Sequence, residues 1–263
     1  MTTPAPIDAI VLAAQRKGIE NPLAARFGVS HKCLIPLRGK PLIAHILQTM
    51  LHHKDIAGIT VCVEPELFDA VQEIAEEIAP DAQIRLVPAA DNLADSVIGA
   101  AGDGNGPWLI TTADNALLSA DTIARVRRHI ERADGVIVLA REDDVKSTHA
   151  EGQRRFYSFR DGGVANCNTY AIANREALSA AEVFRSGGQF MKNADRIVSA
   201  FGLTNLVLLK LGLASVEGAM ARISDRLGMT IEPLVVEDGS QAIDVDNDRT
   251  YGVVEELLER RSA

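Results

Sequence analysis

Aromatic residues and positive charge are both scarce in this 263-residue chain, and their scarcity excludes one class of partner. Phe, Trp and Tyr together make up 4% of the residues, which is too few for the stacked aromatic side chains that hold single-stranded nucleic acid. The formal net charge is −9 at pH 7, whereas domains that bind nucleic acid are usually basic. We therefore expect no nucleic acid among the partners.

Cysteines are also few, and no long hydrophobic run is present. The cysteines are Cys33, Cys62 and Cys167. Their odd number and the lack of a CxxC pair predict a reduced, cytoplasmic protein without a structural zinc site, and the opening residues predict no signal peptide. The most apolar later segment, 201–213, is short for a membrane span and contains Lys210. We interpret residues 201–223 as helices that cover a sheet, with a peripheral membrane contact as the less favoured alternative.

Familiar catalytic motifs are missing as well. No GxSxG, HExxH or GxxxxGKS/T segment occurs, and the six histidines show no metal-binding spacing. A reaction whose nucleophile is already ionised would need neither an activated serine nor a general base. A phosphate monoester is such a nucleophile, because its second pKa lies near ~6.

The first 43 residues carry the strongest positive signal. The apolar run from Ile7 to Ala14 is short enough for one buried strand. Residues 15–40 then contain six basic residues and one acid, Glu20, which gives this loop a net charge of +5 in an acidic chain. Pro41 stands where a helical pattern begins, a position at which its missing N–H is tolerated. A strand, a cationic loop and a helix in this order predict a phosphate-binding site.

Strand-like and helix-like segments alternate through the first half of the chain. The further strands predicted there are Ile59–Val63, Gln83–Val87, Trp108–Ala113 and Gly135–Ala140. The helices predicted between them are residues 65–78, 91–101 and 119–132. Ser119 is predicted to cap the last of these helices. Such alternation of apolar strands with helices is typical of a parallel sheet covered on both faces.

After Arg141 the pattern changes. We predict a polar loop at residues 142–155, followed by a pair of strands at 155–159 and 166–173. A mostly helical stretch at 174–229, two further strands at 231–236 and 242–245, and a final helix at 248–261 follow. We predict a single domain of residues 1–263, with an acceptor-side insertion at roughly 142–229 that combines a β-hairpin with helices.

Two groups of carboxylates follow predicted strands. Asp114 stands at the sheet edge where open α/β proteins bind ligands. A carboxylate there suits a hard cation such as Mg²⁺, although a turn cap is an equally good interpretation. Asp244 and Asp246 alternate on a predicted strand and point to one side, where a cation would relieve their repulsion. The alternative is a strand end that leads into a helix capped by Asn247 or Asp248.

Basic residues are placed to bind phosphate in two regions. Lys32, with Arg16 and Lys17 in the same loop, is either a solvated lysine or part of a cationic clamp on a polyphosphate. Lys192 and Arg196 share one face of a helical pattern at i, i+4. They either bind the phosphate of an acceptor or belong to a solvated helix face.

Several of these segments resemble those of one enzyme family. Val11–Ala14 (VLAA), the basic loop up to Lys32 and Gly39–Ile43 (GKPLI) resemble the opening of the MobA-like NTP transferases, the molybdenum-cofactor guanylyl- and cytidylyltransferase type. Thr111–Asp114 (TTAD) resembles the strand-end TxAD segment of that family. Asp244–Asp246 (DVD) resembles the DID segment near its carboxyl end. The matching segments cover the amino-terminal half and the last part of the chain.

The resemblance implies a GT-A-like fold of the nucleotide-diphospho-sugar transferases, with three layers and a mostly parallel central sheet. It also implies a Mg²⁺-dependent nucleotidyltransferase. Such an enzyme moves a nucleoside monophosphate from a nucleoside triphosphate to a small phosphorylated acceptor and releases pyrophosphate. The family resemblance mildly favours CTP as the nucleotide donor, and GTP is the other candidate.

The residues that the resemblance assigns fall into four groups. Arg16 and Lys32 would act catalytically on the triphosphate, and Asp114 and Asp246 would hold Mg²⁺. The nucleotide-binding set is Leu12, Ala13, Ala14, Gln15, Arg16, Lys17, Lys32, Asp95, Ser96 and Asp114. The acceptor-binding set is Gly163, Asn168, Lys192 and Arg196.

One residue departs from the family pattern. The family has glycine after its paired alanines, where backbone N–H groups approach phosphates without a Cβ in the way. This chain has Gln15 at that position. Either basic side chains replace the cradle, or the nucleotide binds in another pose, or the activity is lost. A metal-dependent GT-A glycosyltransferase and a non-catalytic nucleotide-binding protein therefore stay open as alternatives.

Overall fold

The computed structural model describes residues 6–15, 18, 21–184 and 213–262. The strands described there are β1 (Ile7–Leu12), β2 (Pro36–Leu37), β3 (Lys40–Pro41), β4 (Ile56–Val63), β5 (Ile84–Pro88), β6 (Trp108–Thr112), β7 (Gly135–Arg141), β8 (Tyr157–Phe159), β9 (Gly162–Ile172) and β10 (Ile231–Val236). The described α-helices are α1 (Pro22–Arg26), α2 (Leu42–Leu51), α3 (Phe68–Ile78), α4 (Leu93–Ala101), α5 (Ala120–His129), α6 (Glu142–Thr148), α7 (Val216–Leu227) and α8 (Asp248–Ser262). Short 3-10 helices span Lys32–Leu34, Pro65–Leu67, Glu176–Phe184 and Gly239–Ala242.

One mixed sheet of eight strands organises the described residues. Its order is β10-β7-β9-β6-β1-β4-β5, with β8 paired to β9, while β2 and β3 form a separate two-stranded ladder. β1 is parallel to both of its neighbours, β4 and β6. β5 is parallel to β4, and β10 is parallel to β7. β9 is antiparallel to β6, β7 and β8. The chain leaves β1 towards β4 and later returns to its other side at β6, so the switch point at which α/β sheets bind ligands lies beside β1.

Alternation along β1 explains why both faces of the sheet are covered. Ile7 and Val11 belong to the larger core cluster, which also contains apolar residues of α2, α3, α5 and α8. Ile10 belongs to a second cluster with residues of α4 and of the 3-10 helix Glu176–Phe184. Successive side chains of a strand point to opposite faces, so these two clusters lie on opposite sides. The predicted α/β fold with a mostly parallel sheet and three layers is confirmed.

The prediction of a loop at 142–155 is wrong in its first part, where α6 forms. Three acids occupy the first turn of α6, where the helix dipole stabilises negative charge. Val145 is fully buried and anchors the helix. Gly239 lies so close beneath α6 that a Cβ there would be 2.2 Å from the carbonyl oxygen of Asp144. Polar composition concealed this helix, because one buried side chain and a close backbone contact are enough to hold it.

The predicted strand at 242–245 is also wrong. Gly239–Ala242 form a 3-10 helix, and residues 243–247 belong to none of the described strands. The buried amide of Gln241 explains this path, because its Oε1 accepts from the N–H of Ser119 at 3.0 Å and its Nε2 donates to the carbonyl of Leu117 at 2.8 Å. These bonds hold the segment across the start of α5 instead of in the sheet.

Other local predictions are confirmed. Ser119 caps α5 by accepting from the N–H of Thr122 at 3.2 Å, and β8 with β9 form the predicted antiparallel pair. Asn247 accepts from the N–H of Thr250 at 3.2 Å in the first turn of α8. Of the helical pattern predicted at 174–229, residues 185–212 lie outside the described part of the chain. Among the helices that are described, none combines the length and apolarity needed to cross a membrane.

Candidate active site

A cavity of about 300 Å³ opens at the carboxyl ends of β1 and β6. The two strand ends are tied together, because the N–H of Ala113 donates to the carbonyl of Leu12 at 3.0 Å. The cavity is lined by Leu12, Ala13, Ala14, Gln15, Asn21, Pro22, Lys32, Cys33, Leu93, Thr112, Ala113 and Asp114. Small-molecule pockets usually measure roughly 300–1,000 Å³, so this cavity at the switch point has the size of a ligand site.

Three carboxylates meet beside this cavity. Ligand oxygens of Asp114, Asp244 and Asp246 all lie within 4.8 Å of one another, and we call these residues the carboxylate triad. The backbone brings them together, because the N–H of Val245 donates to the carbonyl of Asp114 at 3.1 Å. Ile243 and Val245 are fully buried and anchor the segment that leads into α8. The end of β6 and the approach to α8 thereby share one site.

Lys32 lies between two members of the triad. Its Nζ donates to Oδ2 of Asp114 at 2.5 Å and to Oδ1 of Asp246 at 2.7 Å. Burial alone would lower the pKa of Lys32, but the two carboxylates outweigh it and raise the pKa above its ordinary value. Cys33 and Ile35, both buried, hold the 3-10 helix that carries Lys32. The lysine is therefore charged and supplies the countercharge of the triad.

Asp244 is the least solvated member of the triad. Burial raises the pKa of its carboxyl, and the charges of Asp114 and Asp246 raise it further, to about 8, although Lys32 acts in the opposite direction. Nδ2 of Asn168 donates to Oδ2 of Asp244 at 2.9 Å. The three carboxylates therefore repel one another, and a divalent cation bound among them would lower the pKa of Asp244.

The triad fits a divalent cation. Carboxylate oxygens are the ligands that Mg²⁺ prefers in proteins. Oδ1 of Asp114 is buried and has no hydrogen-bond partner among the described residues, although a buried polar atom is normally satisfied. Lys32 neutralises only part of the negative charge of three adjacent carboxylates. A cation shared by Asp114, Asp246 and Asp244 would satisfy the unpartnered oxygen and relieve the remaining repulsion.

Gln15 changes the loop that follows β1. Its backbone N–H donates to Oε1 of Glu64 at 2.9 Å, and its Nε2 donates to the carbonyl of Ser30 at 3.2 Å. The amide that would face phosphates in a glycine-rich cradle is therefore bound by a carboxylate of the same chain. His31 stands nearby, with its Nε2 3.9 Å from Oε2 of Glu64. Lys32 is the positively charged side chain among the described residues that line the cavity.

Two predicted nucleotide-binding residues lie in the first turn of α4, outside the cavity lining. Ser96 is buried and its hydroxyl accepts from the N–H of Ala90 at 3.0 Å, while Oδ2 of Asp95 accepts from Nδ2 of Asn92 at 2.7 Å. Leu93 of the same turn does line the cavity. Ser96 thus shapes the loop that borders the cavity, and a direct contact of Asp95 or Ser96 with a nucleotide stays a prediction.

The structure brings together only some of the predicted acceptor-binding residues. Asn168 contacts the triad through Asp244, as described above. Gly163 lies on β9 against α6, where a Cβ would be 2.1 Å from Oε2 of Glu142, so the Glu142 side chain would have to shift to admit a larger residue there. Lys192 and Arg196 lie outside the described residues, and their roles stay predictions.

Some of the residues predicted to bind nucleotide line the cavity, and others lie outside the described part of the chain. Leu12 to Gln15, Lys32 and Asp114 all line the cavity, whereas Arg16 and Lys17 lie outside the described residues. Sequence reasoning missed Asn21 and Leu93 as lining residues, and it noted Asp244 without including it among the metal ligands. The i, i+2 pairing of Asp244 with Asp246 was the available signal for the third carboxylate; Asn21 and Leu93 gave none.

A lysine and three carboxylates thus lie at the switch point of a mostly parallel sheet, the place where α/β proteins bind ligands. The chain belongs to the MobA-like NTP transferase family, whose domain profile matches residues 9–198. It is accordingly a nucleotidyltransferase by family, and the resemblance noted in the sequence is confirmed.

Solved structures share the fold at low sequence identity. A hypothetical transferase from Thermus thermophilus superposes with a TM-score of 0.73 and 23% identity, covering 94% of this chain and 99% of that one. A 4-diphosphocytidyl-2C-methyl-D-erythritol synthase from Anaerococcus prevotii superposes with a TM-score of 0.61 at 13% sequence identity, covering 97% of each chain. A CMP:2-keto-3-deoxy-manno-octonic acid synthetase complexed with CTP superposes with a TM-score of 0.58 at 13% sequence identity, covering 97% of this chain and 99% of that one. The predicted GT-A-like fold is confirmed.

A sequence relative matches part of the chain. The bifunctional protein GlmU of Rhodopseudomonas palustris (strain BisB5) is 32% identical over 111 residues. The match covers 41% of this chain and 24% of that protein. The chain therefore spans about a quarter of the length of this relative.

Proposed function

We propose that this protein transfers a nucleoside monophosphate from a nucleoside triphosphate to a small phosphorylated acceptor, with Mg²⁺ as cofactor and pyrophosphate as the second product. The observation that carries the proposal is the position of Lys32, whose ammonium group bridges Asp114 and Asp246 at the wall of the cavity. A cation site and a phosphate-binding lysine are thus adjacent. Phosphoryl and nucleotidyl transfer need this combination, because their catalysis consists mostly of positioning and charge neutralisation.

The reaction requires no general base from the protein. An ionised oxygen of the acceptor phosphate forms a bond to the α-phosphorus, and the bond from that phosphorus to the oxygen bridging the β-phosphorus breaks. Bound Mg²⁺ would neutralise charge that develops on phosphate oxygens, with Asp114 and Asp246 as its ligands and Asp244 as the third carboxylate. Lys32 would turn from the carboxylates to the triphosphate and stabilise the departing pyrophosphate. Arg16 and Lys17 are proposed to assist it.

The remaining assignments extend this proposal. Leu12 to Gln15 are proposed to bind the nucleotide, with Asp95 and Ser96 at its base or ribose, while Gly163 and Asn168 border the acceptor side. Lys192 and Arg196 are proposed to bind the acceptor phosphate. The whole chain is proposed to act as one domain with an acceptor-side insertion at roughly 142–229. CTP is the first donor to test, because two structures of similar fold carry cytidine nucleotides in their names, and GTP is the second.

Thermal melting with CTP, GTP, ATP, UTP and dTTP, each with and without Mg²⁺, tests the proposed donor. A nucleotide with a Kd near ~10 μM stabilises the protein by roughly 2.7 kcal/mol at ~1 mM. At this chain length we expect a rise in Tm of roughly 5–10 °C. The proposal predicts such a rise for one triphosphate, and only in the presence of Mg²⁺.

Two other outcomes would contradict the proposed donor. A rise with a nucleotide sugar, but with no triphosphate, would favour the GT-A glycosyltransferase. A rise with a triphosphate that is the same with and without Mg²⁺ would favour a non-catalytic nucleotide-binding protein, an alternative consistent with the Gln15 amide already bound by Glu64.

A further inference from the structure

β9 carries a bulge where it passes the carboxylate triad. Tyr170 pairs with Ile137 of β7 and Asn166 pairs with Leu139. Residues 167–169 of β9 therefore lie opposite the single residue 138 of β7. Bulges of this kind redirect a side chain and occur often beside active sites.

The central residue of the bulge has an unusual backbone conformation. Asn168 has φ of +48°, in the left-handed region that residues other than glycine seldom adopt. Asparagine tolerates this region better than most residues. Arg38, in the turn between β2 and β3, is the other non-glycine residue with positive φ among the described residues. Left-handed residues outside turns are often retained at functional sites because the surrounding structure holds them there.

A buried amide fixes the bulge to the strand end that carries Asp114. Asn115, which is 1% exposed, donates from Nδ2 to the carbonyl of Cys167 at 3.0 Å and to Oγ1 of Thr169 at 3.1 Å. The N–H of Asn168 in turn donates to Oδ1 of Asn166 at 3.1 Å. The backbone on both sides of Asn168 is therefore held, and its position is tied to the residue next to Asp114.

We propose that the bulge exists to place Asn168 as a positioning residue for the metal site. Its Nδ2 donates to Oδ2 of Asp244 at 2.9 Å and fixes the orientation of that carboxylate beside Asp114 and Asp246. Asp244 then serves as a third acidic ligand of the divalent cation. This inference rests on the proposed function, and it assigns to Asn168 a role other than binding the acceptor.

The chemistry of an amide suits this role. A hydrogen bond from a neutral donor favours the charged form of the carboxylate, and it does so without adding a cation that would compete with a metal ion. Lys32 supplies a positive charge to Asp114 and Asp246, and Asn168 supplies a hydrogen bond to Asp244. Partners in the outer shell of a metal site typically change metal affinity by roughly 10- to 100-fold when they are removed.

The test is binding of Mn²⁺ alone, measured by electron paramagnetic resonance without nucleotide, together with the Tm of each variant. Asn168→Gly keeps a residue that adopts positive φ freely and removes only the amide. We expect Mn²⁺ affinity to fall by roughly 10- to 100-fold, while the Tm of the metal-free protein stays the same or rises. A role in the fold alone predicts a lower Tm and no change in Mn²⁺ affinity.

Two control variants separate the amide from the backbone. Arg38→Gly relaxes the other left-handed residue, and we expect no effect on Mn²⁺ affinity. Thr169→Val removes a hydroxyl from the support of the bulge and keeps the Asn168 amide; we expect a lower Tm and a smaller loss of Mn²⁺ affinity than in Asn168→Gly.

The outcomes that overturn the inference differ from those that overturn the proposed function. Asn168→Gly with wild-type Mn²⁺ affinity would show that Asn168 does not position the metal site. Wild-type protein that binds no Mn²⁺, or binding that Asp114→Asn leaves unchanged, would remove the proposed metal site itself and this inference with it.

Discussion

Asp114→Asn is expected to lower kcat for pyrophosphate release by roughly 10³-fold, the loss that follows removal of one group stabilising transition-state charge, while the protein stays folded. The carboxylate of Asp114 lines the cavity, binds Lys32 and has a buried oxygen that no described residue bonds. Asparagine has nearly the same shape but no charge, so it weakens the cation site directly. It also removes one of three adjacent negative charges, and the Tm of the metal-free variant should therefore equal or exceed that of the wild type.

Steady-state pyrophosphate release, measured beside the Tm, checks this prediction. Asp121→Asn is a matched control, because Asp121 is exposed in the first turn of α5 and does not line the cavity. We expect near-wild-type turnover from the control. A kcat for Asp114→Asn within a few-fold of wild type would show that the triad is not the metal site of the reaction, whereas unfolding would show that its charge is structural.

Lys32→Met is expected to change activity and metal binding in opposite directions. Loss of the ammonium should lower kcat/KM for the nucleoside triphosphate by roughly 10²- to 10³-fold, because a preorganised positive group at the departing pyrophosphate is removed. In the absence of nucleotide, Mn²⁺ should bind more tightly than to the wild type, since Lys32 no longer competes for Asp114 and Asp246. The metal-free variant should melt at a lower temperature, because three close carboxylates lose their countercharge.

Lys40→Met provides the comparison for this variant. Lys40 lies in the same basic loop, is exposed, and donates to Oε1 of Gln48 at 2.9 Å. We expect neither kinetics nor Mn²⁺ affinity to change in Lys40→Met. If Lys32→Met weakened Mn²⁺ binding, the lysine would support the cation site and not compete with it. Unchanged kcat/KM would remove Lys32 from the reaction.

The elements that sequence patterns predicted well are those with strong apolar runs. β1, β4, β6 and β7 are each buried on both faces, so their residues form near-continuous hydrophobic segments. Their spacing by helices then predicted a parallel sheet. The antiparallel insertion of β9 between β6 and β7 could not be predicted in this way, because strand order depends on contacts between distant residues that leave no local pattern.

Short polar segments were the least predictable parts of the fold. α6 has one buried side chain, Val145, and its position depends on close contact with Gly239. The path of residues 239–247 depends on the buried amide of Gln241. Both arrangements arise from tertiary contacts that override local propensity.

The candidate site was partly predictable because its main residues follow strands. Asp114 follows the end of β6, and the prediction that Asp246 would approach it needed only the family resemblance. The meeting of Asp244 with them arises from the hydrogen bond between Val245 and Asp114, which no sequence pattern indicates. The same holds for Asn168, whose bulge is visible only once β7 and β9 are paired.

The contacts of Gln15 give a physical interpretation of its departure from the glycine of the family pattern. The sequence alone left open whether basic side chains replaced the missing glycine. In the structure, Glu64 binds the Gln15 backbone N–H and Lys32 lines the cavity. Both contacts agree with the proposal that charged side chains bind the phosphates. Glu64 would have to release the backbone N–H of Gln15 before that N–H could bind a phosphate.

Release of pyrophosphate from an α-phosphate-labelled nucleoside triphosphate is the most direct test of the account. The protein is incubated with Mg²⁺, the triphosphate that raises Tm most, and a set of sugar phosphates and other phosphate monoesters. The account predicts equal amounts of pyrophosphate and of labelled product in which the nucleotide is joined to the acceptor phosphate, and neither in Asp114→Asn. Orthophosphate in place of pyrophosphate, or full activity in Asp114→Asn, would contradict nucleotidyl transfer at the carboxylate triad.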